Sequence, residues 1–252
     1  MKIRPILSAV IFLLVSGLGL RAQSRPELIK SIDRITTEDQ LGEWLTYYYL
    51  HPRPDLVVSA TQLMSRQGRL QETSVETPFC VFLSHVFATN EGQVGTWSAE
   101  LRTGPEDQKK ALALVLWMAG TSSSQDLLKS LSSQGSLIFQ NYVKELLADN
   151  RRPDFLHDEI SNPGFLDALW VSFFASGDER YVKRVINALQ LLKTQGDTGK
   201  ILIGGAAKWS LASNAFQHPK VMQICEAELK ELPNEQRAAL AEVIQSARDQ
   251  KK

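Results

Sequence analysis

An all-α chain of stacked antiparallel helical hairpins, an α-solenoid or α-α superhelix, is what the sequence predicts, with a compact helical bundle as the alternative. Three observations carry that expectation. Apolar residues recur three, four and seven places apart from Leu41 almost to the C-terminus. The one stretch that could pass for a strand, "KILIG" from Lys200 to Gly204, has no second strand to pair with. And one outline, a helix end of large apolar residues, a small polar turn and a new helix closing on Leu, recurs five times.

The N-terminus stands apart from this pattern. Lys2 and Arg4 precede an apolar run from Ile6 to Leu20, followed by small and polar residues. That is the layout of a secretory signal peptide, and the run is shorter than the roughly 20 residues a spanning helix needs. Residues 1–22 are therefore expected to be removed, with cleavage after Ala22 or, less favourably placed, after Gly19. The mature chain, 23–252, is read as one helical-repeat domain with a subdivision near 132–136. An uncleaved N-terminal anchor is the alternative. Export to the periplasm or outside the cell follows, and the short signal and the absence of any Asn-x-Ser/Thr sequon fit a bacterial envelope.

Loss of Lys2, Arg4 and Arg21 leaves a formal net charge of −3. So weak an acidic balance supplies no field for nucleic acid or an anionic membrane surface. Cys80 and Cys225 both fall on apolar helix faces and read as buried thiols rather than a disulfide or half a zinc site.

Taken in order, the first helix begins after Thr37, which with Gln40 can form a capping box, and Leu41, Trp44, Leu45 and Tyr48 make one stripe. A second stripe, Leu56, Val57, Ala60, Leu63 and Met64, follows "HPRP" and should stop at Gly68. The stretches "PFCVFLSHVFATN" with "QVGTWSAELRTG", and "EDQKKALALVLWMAG" with "SSSQDLLKSLSSQG", give two further pairs. An unpaired helix from Leu137 to Asn150 and a short one after Pro153 come next. The pair around Gly177 and Asp178 follows, with Tyr181, Val182, Val185, Ile186 and Leu189 as a wide apolar stripe. Three more helices close the chain: one containing "KILIGG", where Gly204 and Gly205 permit a neighbouring helix to approach, one from "HPKVM", and a polar-faced terminal helix after Pro233, with Asn234 as its N-cap, that caps the stack.

The five recurrences begin at Tyr48, Val86, Leu116, Phe173 and Leu211, at spacings of 38, 30, 57 and 38 residues. Helical-hairpin arrays produce spacings of this order. The stretch "ASGDERYVKRVINAL" resembles part of a tetratricopeptide repeat, with Gly177, Asp178 and Tyr181 near the turn and Ala188 and Leu189 near the end of the second helix. The resemblance implies a tetratricopeptide-like stack whose inner face binds protein or peptide.

Chemistry-bearing motifs are scarce. "QGDTGKILIGG" has two residues, not four, between Gly196 and Gly199, and Ile201 stands where a P-loop needs Ser or Thr. His51, His85, His157 and His218 form no ligand pair, and "DFLHDEI" gathers Asp154, His157 and Asp158 only as a solvated face. No "GxSxG" occurs, and capping explains the serine cluster at 122–136.

The function expected is therefore binding, as a scaffold or adaptor for a protein or peptide, with no cofactor and no metal. The residues chosen for contact are Tyr47, Tyr49, His51 and Arg53, which flank the first stripe and its turn, and then Lys208 and Trp209; Tyr, Trp and Arg are the types that make hot spots. An enzyme, a hydrolase with its site in a groove between helices, is the alternative. An oligomeric structural protein is the third reading.

Overall fold

The computed structural model describes Ile29 and residues 31–250, so the signal-peptide reading of residues 1–22 lies outside the described residues. Among those residues the chain is all-helical, with twelve α-helices, three short 3-10 turns and no strand. None of the helices is long and apolar enough to cross a membrane.

The residues group into two compact units. One runs to Pro153 and includes Phe174–Gly177; the other comprises Asp154–Phe173 and Asp178 onward. Residues 132–136 lie inside the first.

In the first unit, α1 (Glu38–Tyr47) starts with the complete capping box of Thr37 and Gln40, and Glu38 and Asp39 complement its positive end. After a 3-10 turn at Pro54–Leu56 comes α2 (Val57–Arg66), ended by Gly68 at φ 71°, a left-handed conformation that glycine adopts without strain. α3 (Thr73–Thr89) starts five residues before Pro78, where the sequence had suggested its beginning. The remaining helices of the unit are α4 (Glu91–Leu101), α5 (Glu106–Ala119), α6 (Ser122–Leu131) and α7 (Leu137–Ala148).

Packing in this unit follows two rows. α3 lies against α5 and α5 against α7, while α2 lies against α4 and α4 against α6, and successive helices from α3 to α7 join the rows. Trp44, Tyr48 and Phe82 form a buried triangle of edge-on rings 5.1–5.7 Å apart. Phe87 and Trp97 make a second contact at 5.0 Å between α3 and α4.

The helix α8 (Pro163–Ser176) carries residues of both units. Where a short helix was expected after Pro153, residues 155–158 form a turn instead. Asp154 and Asp158 compete for the backbone there: Asp158 accepts from Asp154 N at 2.8 Å, and Asp154 accepts from Leu156 N at 3.0 Å.

In the second unit, α9 (Glu179–Ala188) follows Gly177 at φ 70° and is capped by Asp178, which accepts from Arg180 N at 3.0 Å. A 3-10 turn, Leu189–Lys193, leads to α10 (Thr198–Gln217), α11 (Pro219–Glu231) and α12 (Asn234–Asp249). Thus "KILIG" is helical. Asn234 is the first residue of α12, with Pro233 at the N-cap position that the sequence had assigned to Asn234. The two-row pattern repeats here, α9 against α11 and α10 against α12.

Candidate functional site

The tyrosine-rich turn is built by the tryptophan beneath it. Trp44 is fully buried, and its Nε1 donates to Arg53 O at 3.0 Å, which folds "LHPRP" back over the end of α1. Arg53 then reaches the incoming chain, donating to Ile29 O at 2.6 Å and Ile32 O at 2.8 Å while pairing with Asp55 at 2.6 Å. The Asp55 carboxylate raises the guanidinium further above its ordinary value and is itself held below the usual carboxylate range. Arg53 is thereby a strut that ties Ile29 and Ile32 to the first hairpin. His51 is half-buried in the same turn.

Tyr47 and Tyr49 flank the buried Tyr48, both half-buried, with Leu50 exposed beside them. Burial pushes the Tyr49 hydroxyl up to about 12 and raises that of Tyr47, with Glu43 a further cause at Tyr47. Neutral phenols with one face in solvent can donate hydrogen bonds and stack; they do not ionise near pH 7.

The strut can be tested directly. Arg53→Met is expected to cost about 1–3 kcal/mol, because two carbonyls lose a charged donor, and to speed hydrogen exchange in residues 31–36. Asp55→Asn should cost under about 1 kcal/mol, its pairing being solvent-exposed. Equal effects in urea unfolding would show that the ion pair, not the carbonyl contacts, holds the segment.

Lys208 and Trp209 lie on α10. Lys208 pairs with Glu242 of α12, and Trp209 is half exposed. The structure adds what the sequence reading did not select: Ile201 and Leu202 are exposed on the same helix, and at Gly205 an added Cβ would meet nothing within 4 Å. Leu202, Gly205 and Trp209 stand at i, i+3 and i+7, so they share one face. That spacing was visible in the sequence, but periodicity alone assigns an apolar stripe to the core.

A second feature belongs to the first unit. The C-terminal ends of α2 and α4 and the start of α5 enclose an open polar cleft of about 330 Å³. Ser65 donates to both carboxylate oxygens of Asp107 at 3.0 Å, and Gln108 Nε2 donates to Leu101 O at 2.8 Å. Arg66 and Glu100 stand at its rim.

Cys80 and Cys225 are free and buried, and burial pushes the Cys225 thiol up to about 12 and that of Cys80 well above its ordinary value, so neither presents a thiolate at neutral pH. His157 Nδ1 lies 2.7 Å from Asp154 Oδ2 on the surface, and no cluster of three metal-ligating side chains occurs among the described residues. Compared with protein-family models, with curated proteins and with solved structures, the chain matches none.

Proposed function

We propose that the protein is a tetratricopeptide-like stack of helical hairpins, exported to the bacterial envelope or beyond, that binds a segment of another protein. The packing of helices on their next-but-one neighbours, from α2 to α7 in the first unit and from α9 to α12 in the second, supports the stack, since a closed bundle has no need of two rows. The observation that carries the binding reading is the face of α10: Ile201, Leu202 and Trp209 are 40%, 58% and 50% exposed on one well-formed helix.

The occupant is an amphipathic helix of the partner. Apolar side chains at i and i+7, Leu202 and Trp209, match the spacing of another helix's apolar stripe, and the open space at Gly205, at i+3, lets a second backbone come close between them. Covering a leucine or a tryptophan contributes about 2 kcal/mol each, and the Lys208–Glu242 pair borders the patch as a polar rim. Tyr47 and Tyr49 form a second aromatic contact surface on the first unit.

A photo-activatable residue in place of Gly205, with Gln223→photo-residue as an exposed control on α11, tests this in the native host. The expected adduct is a segment of a different protein with apolar residues three and four apart, lost when Leu202→Asp is added. Identical adducts from both positions, or an adduct only with a second copy of this chain, would overturn it.

A further inference from the structure

We draw no further inference here: the strongest candidate, the exposed apolar patch of Leu137 and Ile138 on the first turn of α7, carries nothing because no feature of the structure shows what covers it.

Discussion

Asp167→Asn is expected to stabilise the protein, by an amount that grows with pH. Asp167 lies on α8 at 5% exposure, and burial pushes its carboxyl up to about 7. Between about pH 4 and pH 7 the native chain holds a proton that the unfolded chain has released, so this group makes stability fall as pH rises through that window and then level off. The loss by pH 7 is on the order of 4 kcal/mol, which the amide abolishes. His218, at the N-cap of α11 and 1% exposed, has the opposite sign. Burial lowers it to about 4, so below its ordinary 6.5 the unfolded chain takes up a proton that the native chain excludes.

Its contribution is whole above pH 6.5 and is lost, by on the order of 3 kcal/mol, as pH falls towards 4. From pH 4 to 6.5 the two slopes therefore cancel, and the parent protein should show little pH dependence from this pair. Urea unfolding across pH 4 to 8 reads the variants against the parent. The Asp167→Asn advantage should widen steadily to pH 7, and the deficit of His218→Gln should shrink as pH falls below 6.5. A pH-independent difference for either variant would mean that the group titrates as it does in water.

Gly204→Ala and Gly205→Ala are expected to move stability in opposite directions, although the residues are adjacent in one helix. An added Cβ at Gly204 would stand 2.6 Å from Leu192 N and 3.1 Å from Leu191 C, both backbone atoms of the 3-10 turn packed on α10. Backbone cannot swing aside, so the turn must shift, and a cost of about 1–3 kcal/mol is expected to exceed the gain in helix propensity. At Gly205 the new methyl meets nothing, and removing backbone freedom from the unfolded chain should add about 1 kcal/mol. Thermal unfolding of the two variants decides. A loss in both would show that the outer face of α10 is as closely packed as the inner one.

Much of the helix order was legible because capping and periodicity are local. Thr37 with Gln40, Gly68, and Gly177 with Asp178 each mark a boundary through a side chain or a φ angle that neighbouring residues supply, and the structure has each where the residues put it. The buried stripe Leu41, Trp44, Leu45 and Tyr48 was equally plain. Two local readings failed where local groups compete: Asp154 and Asp158 turn the chain after Pro153, and Pro233 rather than Asn234 takes the cap position of α12.

The sites were less legible, because exposure and partners are tertiary properties. Arg53 reads as a free guanidinium beside an aromatic run, yet the carbonyls of Ile29 and Ile32, distant in sequence, take it up. Ile201 and Leu202 lie in an apolar run and are exposed, while Gln108, a polar residue at a helix start, is buried with its amide nitrogen on Leu101 O. The sequence by itself determined that this is a helical chain, where most of its helices begin and end, and which residues line their apolar stripes, since those depend on contacts within one or two turns. Which glycine packs, which arginine is used up and which apolar side chains stay exposed were decided only when helices from distant parts of each unit came together, because each depends on atoms that the chain brings near only by folding.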